Sequence, residues 1–268
     1  MNFTSYKQFA CLSGLPRAGS TLLTAILCQN PKIHAEGNSA LSTIMWSTLQ
    51  GYNECCEQLN ANNKVETMNE IIRAIPHIYY KNIKEEIVID KCRTWLLPLN
   101  HALLNTYITN DYKVLFLERS IVDVVKSFVK IYRTNGIYDA KREADLLIEH
   151  SNPLMKCVDS LEHAKKCALL EGGDKHFLFI NYNDLIADPR EAVRKIYAFF
   201  EWEPFEHDFD NIVQKYPEND DIYVIDGKNL NGLHKIRNSI GRQDNSTTVL
   251  SDELIAKCLE VDKRLGYI

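Results

Sequence analysis

Gly14 and Gly19 stand five positions apart in "CLSGLPRAGSTLLTAIL", Cys11–Leu27, and Thr21 follows two positions later. That is the spacing of a P-loop, G-x-x-x-x-G-K-[ST], whose backbone N–H groups cradle phosphate oxygens. The lysine position holds Ser20 instead. Phosphoryl transfer relies on that lysine, and on a magnesium ion held by an acid after a neighbouring strand. Here the run "KVLFLER" ends in Glu118-Arg119, not in a lone aspartate. Arg17, inside the loop, offers a planar fork of donors to an oxyanion. The loop therefore suits a nucleotide with fewer charges at its 5′ end and no metal requirement. A nucleotide or small-molecule kinase with a degenerate loop is an alternative, as is a non-catalytic nucleotide-binding protein.

Such a loop needs a strand before it and a helix after it. Phe9–Ser13, Ile87–Asp90, Lys113–Leu117 and Phe177–Ile180 are short apolar runs bounded by polar residues, and read as buried strands. Helical stripes alternate with them: Leu22, Leu23, Ile26 and Leu27; Ile121, Val124, Val125, Phe128 and Ile131; Ala192, Val193, Ile196, Phe199 and Phe200. The stripes read as core. Strands alternating with helices predict an α/β fold, a parallel sheet flanked by helices on both faces. Ligands of such a sheet bind beyond the carboxyl ends of its strands. Those ends carry Gly14–Thr21, then Lys91 and Arg93, then Glu118 and Arg119, then Asn181 and Tyr182. Basic residues converge there on a glycine loop and a helix N-terminus, which makes an anion-binding crevice.

Two helix starts are signalled. Ser120 with Asp123 resembles a capping box, and Asp188, Pro189 and Glu191 supply a cap, a first-turn proline and an acid. Region 38–82 reads as a helical insertion over the sheet. Region 203–245 is polar with weak periodicity, and reads as an irregular segment across the cleft. Nothing suggests a linker, so residues 1–268 are expected to form a single domain.

The net charge of −5 argues against a dedicated nucleic-acid binder. No apolar run is long enough for a membrane span, and "MNFTSYKQF" lacks the pattern of a signal peptide. The eight cysteines are scattered, with no C-x-x-C pair; that fits neither a disulfide framework nor a zinc site, and a cytoplasmic location is expected. The sequons at Asn2 and Asn245 would then go unused.

The loop "GLPRAGSTLL", residues Pro16 to Leu22 at its heart, resembles the 5′-phosphosulfate loop of sulfotransferases that use 3′-phosphoadenosine 5′-phosphosulfate (PAPS). "ERSIVDVVKSF" resembles their 3′-phosphate motif, carried here by Arg119 and Ser127. "NYNDLIADPREAVRKIYAFF" resembles the segment whose tyrosine, here Tyr182, lies near the adenine. "VIDKCRTW" resembles the segment whose lysine, here Lys91, reaches the sulfonate. The four motifs keep the family's order over roughly residues 9 to 200, and are closer to its bacterial and tyrosylprotein branch. The resemblance implies a P-loop-like parallel sheet of about five strands. It also implies PAPS as co-substrate and a hydroxyl-bearing acceptor.

There are departures. The cytosolic enzymes' catalytic histidine is replaced by Arg93, and their late Arg-Lys-Gly motif is missing. Lys235 and Arg237 in "GLHKIRNSIGR" lie in the corresponding region. By resemblance to the tyrosylprotein branch, the base is expected to be Glu36, with His34 next in line. The loop residues Pro16, Arg17, Ala18, Gly19, Ser20, Thr21 and Leu22 would then bind the cofactor together with Arg119, Ser127, Tyr182, Lys235 and Arg237. Lys91, Arg17 and Glu36 would carry the chemistry, and no metal would bind. The acceptor pocket is expected in 37–60 and 130–165, open to a lipid, a small alcohol or phenol, or a peptide tyrosine. A polyanionic sugar polymer fits the net charge less well.

Overall fold

The computed structural model describes residues 6–148, 153–170, 172–241 and 247–268, so the sequons at Asn2 and Asn245 lie outside the described residues. Five parallel strands form one sheet: β1 (Gln8–Gly14), β2 (Ile33–Ala35), β3 (Ile87–Lys91), β4 (Val114–Glu118) and β5 (Phe177–Asn181). Their order is β2-β3-β1-β4-β5. The four apolar runs read from the sequence correspond to β1, β3, β4 and β5, with Lys113 just ahead of β4, and the α/β expectation holds. The fifth, β2, has only three residues and no apolar run to announce it.

Strand β1 lies in the centre, and chain order reverses on either side of it. Its loop therefore opens at the topological switch point, where such sheets bind ligands. Leu12 pairs beside Lys91 and Gly14 beside Leu117, so the ends of β3 and β4 flank the loop. Gly14 has φ 119°, and a Cβ there would stand 2.3 Å from the Leu117 carbonyl oxygen. Only glycine permits that approach between the two strands.

Helix α1 (Ser20–Leu27) follows the loop and buries Leu23, Ile26 and Leu27. Region 38–82 is helical as expected, forming α2 (Leu41–Glu54), α3 (Cys56–Ala61) and α4 (Val65–Tyr79). Then come α5 (Pro98–Leu103), α6 (Ile121–Thr134), α7 (Ala140–Asp145) and α8 (Pro153–Ala168), and later α9 (Tyr182–Ala187), α10 (Pro189–Phe200) and α11 (Asp252–Arg264). The stripes of α6 and α10 are buried at Ile121, Val124, Val125 and Ile131, and at Ala192, Val193, Ile196 and Phe200. No described helix is long and apolar enough to cross a membrane.

The cap of α10 is as read: Asp188 Oδ1 accepts from the Glu191 N–H at 3.0 Å, and Pro189 opens the helix. The cap of α6 is not. Ser120 makes no side-chain cap bond and donates instead to Asp262 Oδ2 at 2.8 Å. Asp262 Oδ1 accepts from the Ile121 N–H at 2.7 Å. The anion that satisfies the first turn of α6 thus comes from α11. Region 203–245 is largely irregular where described, apart from a short 3₁₀ turn and an antiparallel hairpin, β6 (Val224–Ile225) with β7 (Lys228–Asn229). Asp226 and Gly227 both have positive φ, the signature of a tight hairpin turn.

Candidate active site

The loop after β1 is held by contacts on its outer side. Gly19 has φ 88°, and a Cβ there would meet the Tyr182 ring at 2.9 Å. Arg17 also has positive φ, 59°, which turns the backbone so that its carbonyl accepts from Arg119 NH1 at 2.7 Å. Arg119 is 2% exposed, and its guanidinium lies 4.2 Å from the centroid of the Tyr182 ring. Loop, strand end and helix start are thereby locked together: Gly19 and Arg119 both meet Tyr182, and Arg119 ties back to Arg17. The Arg17 side chain donates from Nε to Ser127 Oγ at 3.0 Å and from NH1 to the Leu233 carbonyl.

Strand alternation points Asp90 and Lys91 to opposite faces of the sheet. Asp90 is fully buried, and accepts from Tyr80 Oη and from Trp95 Nε1, both at 2.7 Å. Those bonds fix the end of β3 beneath Lys91. Lys91 is buried too, and its Nζ donates to Glu218 Oε1 at 3.4 Å. Glu218 also accepts from Tyr223 Oη at 2.8 Å, and its Oε2 lies 3.6 Å from His234 Nε2. His234 Nδ1 stands 2.8 Å from Asp220 Oδ1. In that pair the ring nitrogen Nδ1 donates and the carboxylate accepts.

Electrostatics show how crowded the cations are. Burial first, then the neighbouring Arg93 and Arg119 charges, lower Arg17 to about 10. Burial, then Arg93, lower Lys91 to about 8, although Glu218 pulls the other way. Arg93 Nε is buried with no hydrogen-bond partner among the described residues. Like charges held close together repel unless an anion sits among them.

Beside these residues lies a cavity of about 810 Å³. Pro16, Arg17, Gly19, Ser20, Thr21 and Leu22 form one wall, with Tyr182 and Arg93 adjoining. Phe128 and Tyr132 of α6, Arg142, Asp145 and Leu146, and Leu154 and Cys157 of α8 form a second. Tyr223, Ile225, Leu233, His234, Lys235 and Arg237 close it from the irregular segment. Lys235 and Arg237 therefore line the same cavity as the loop. Ala18, Lys91, Arg119 and Ser127 are buried and do not line the cavity.

Two expectations need correction. Neither Glu36 nor His34 lines the cavity. The Glu36 side chain is 46% exposed and pairs with His34 Nε2 at 3.1 Å. His34 is buried, its ring 4.5 Å from that of Tyr216. The reason is local: His34 lies in β2, the edge strand beside β3, and Glu36 directly follows that strand. Of 37–60, Asn38 alone lines the cavity, whereas 130–165 contributes Tyr132, Arg142, Asp145, Leu146, Leu154 and Cys157. Phe128, read as core, is half-buried and faces the cavity.

Sequence reasoning missed Glu218, Asp220 and His234. They follow no strand of the main sheet, so strand-end reasoning does not reach them. The dipeptide Asp226-Gly227 is a hairpin signal inside that segment and marks it as more than a polar loop.

The family model described as a sulfotransferase domain matches residues 10–219. Among solved structures, the chain is similar to the sulfotransferase domain from the curacin biosynthetic pathway, at 20% identity and TM-score 0.56, with 98% of each chain covered. It is similar to the sulfotransferase domain from the Synechococcus PCC 7002 olefin synthase, at 17% identity and TM-score 0.57, covering 98% of this chain and 96% of that one. A sulfotransferase from Alicyclobacillus acidocaldarius is similar at 17% identity and TM-score 0.51, covering 81% and 87%. At these identities the likeness shows a common fold. The search of curated proteins finds no match. The family model spans the loop, Lys91, Arg119, Ser127, Tyr182 and Glu218, and through it the chain belongs to the sulfotransferase domain family, enzymes of PAPS-dependent sulfuryl transfer.

Proposed function

We propose that this chain divides its site in three: a nucleotide seat, a sulfonate seat and an acceptor wall. The observation that carries the reading is the cation cluster of Arg17, Lys91, Arg93 and Arg119, in which burial first and neighbouring positive charge second lower Arg17 and Lys91. The residues fit PAPS: a glycine loop at a helix N-terminus, buried cations and an unpartnered Arg93 Nε suit its anionic groups. Arg119 and Ser127 would hold the 3′-phosphate, Tyr182 the adenine, and residues 16–22 the 5′-phosphate. Lys235 and Arg237 would close over the nucleotide from the irregular segment.

Bound PAPS supplies the sulfuryl group. Lys91, with Arg17 and Arg93, stabilises negative charge on the sulfonate and bridging oxygens as it builds. These donors are fixed before reaction, so little reorganisation opposes the step. His234 replaces Glu36 as the proposed base. It lines the cavity, Asp220 orients it, and burial lowers its pKa despite two carboxylate neighbours. The imidazole is therefore neutral near pH 7 and can take the proton of an acceptor hydroxyl. Phe128, Tyr132, Leu146 and Leu154 give the acceptor side an apolar wall. A reducing, cytoplasmic setting agrees with eight cysteines that form no disulfide.

The test is a transfer assay over a panel of hydroxyl acceptors, with labelled PAPS in one arm and labelled ATP with Mg²⁺ in the other. Transfer from PAPS alone is expected. Transfer from ATP and not from PAPS would overturn the reading.

A further inference from the structure

Far along α8 from the cavity, three soft or borderline donors converge. His163 and Cys167 sit one helical turn apart on the same face of α8. His101, from α5, meets them. His101 Nδ1 lies 3.3 Å from His163 Nε2, and Cys167 Sγ lies 3.4 Å from that same nitrogen. All three donor atoms fall within 4.8 Å of one another, on half-buried side chains. Zinc–ligand bonds of about 2.0–2.3 Å put neighbouring ligand atoms of a tetrahedral site roughly 3.3–3.6 Å apart. Two of the three edges are therefore already at ligand spacing.

The outer shell is present as well. His101 Nε2 lies 2.6 Å from Tyr112 Oη. With that nitrogen donating to the phenol oxygen, Nδ1 presents its lone pair to the other two donors. Metal-binding histidines are held in this way, by a partner on the second ring nitrogen.

We propose that His101, His163 and Cys167 bind one zinc-class divalent transition ion, a clamp between α5 and α8 apart from the sulfonate seat. Imidazole and thiolate donors select such an ion over magnesium or calcium. Binding releases the Cys167 proton, and the thiolate becomes the third ligand. The fourth position is left to water. Both clamped helices matter to the site: α5 follows the segment bearing Lys91 and Arg93, and α8 carries Leu154 and Cys157 on the cavity wall. The cysteine spacing that argued against a zinc site holds only for ligands near in sequence. This cluster draws its ligands from positions 101 to 167, which no spacing rule covers.

The test uses the full chain without an affinity tag, stripped with a chelator and titrated with Co²⁺. One equivalent is expected to bind with visible tetrahedral bands and a near-ultraviolet thiolate-to-cobalt band, and Zn²⁺ should displace it. Cys167→Ser should lose the thiolate band. Tyr112→Phe should weaken binding about tenfold and keep the spectrum. In the wild-type chain, Zn²⁺ should slow alkylation of Cys167 and leave that of Cys55 unchanged, a readout that depends on no variant folding. Absence of saturable binding, a thiolate band unchanged in Cys167→Ser, or equal alkylation of Cys167 with and without Zn²⁺ would each overturn the proposal.

Discussion

Lys91 Nζ and the Glu218 carboxylate stand 3.4 Å apart, joining the end of a central strand to a segment 127 positions further along the chain. Both are largely shielded from water, at 1% and 12% side-chain exposure. The pair is not chiefly a stability device, since taking both charges out of water costs about as much as their attraction returns. Its effect is on charge state. Burial and neighbouring arginines push Lys91 down to about 8, and Glu218 opposes them.

The first prediction follows for Lys91 itself. Lys91→Ala should lower kcat by about 10²–10³, the usual loss for one preorganised donor to developing negative charge. Adenosine 3′,5′-bisphosphate, which has no sulfonate, should bind almost as before. Turnover at saturating PAPS, read beside calorimetry, separates the two effects. Full turnover in the variant would make Lys91 a structural charge.

The pH profile carries a second prediction. His234 must be neutral to accept a proton, and burial lowers its pKa, so the acid limb should fall below the ordinary histidine value of about 6.5. Lys91 must be charged to stabilise the sulfonate, so activity should decline as pH rises through about 8. Glu218→Gln removes the anion that supports the lysine charge, and should move the alkaline limb to lower pH. An alkaline limb unmoved in that variant would detach it from Lys91.

A third prediction separates the two proposed bases. His234→Gln should lower kcat by about 10²–10⁴ and leave nucleotide affinity nearly unchanged. Glu36→Gln should change neither, because its carboxylate faces His34 and solvent. The reverse pattern would return the base to Glu36.

The fourth concerns folding. Asp262→Ala removes the acceptor for the Ile121 N–H and the partner of Ser120. A lost cap costs about 0.5–2 kcal/mol. Denaturant titration should show that loss with an unchanged slope. A stability equal to wild type would mean that water caps α6 just as well.

Much of this was legible in the sequence, for definite reasons. The strands β1, β3 and β4 are largely buried on both faces, β5 is partly buried, and all four read as short apolar runs. Gly14 is set by the approach of β4, and Gly19 by the Tyr182 ring, so the loop spacing carries real geometry. What could not be read is long-range. Asp262 caps a helix 141 positions away, and no local pattern encodes that. Glu36 misled because it directly follows β2, a strand of three residues whose edge position appears only with the strand order. His234 and Glu218 lie in an irregular segment, where periodicity says nothing and packing says everything.

Arg119 gives the most direct test of the central claim, that buried cations form a seat for a 3′-phosphorylated nucleotide. It is tied to the Arg17 carbonyl and stacked on Tyr182. A hydrogen bond to a charged group is worth about 1.5–3 kcal/mol, or roughly one to two decades of affinity. The measurement is calorimetric titration of the wild-type chain with adenosine 3′,5′-bisphosphate and with AMP, which needs no knowledge of the acceptor. The bisphosphate should bind at least about tenfold more tightly, and Arg119→Ala should erase most of that preference. Equal affinity for the two nucleotides in the wild-type chain would contradict the account.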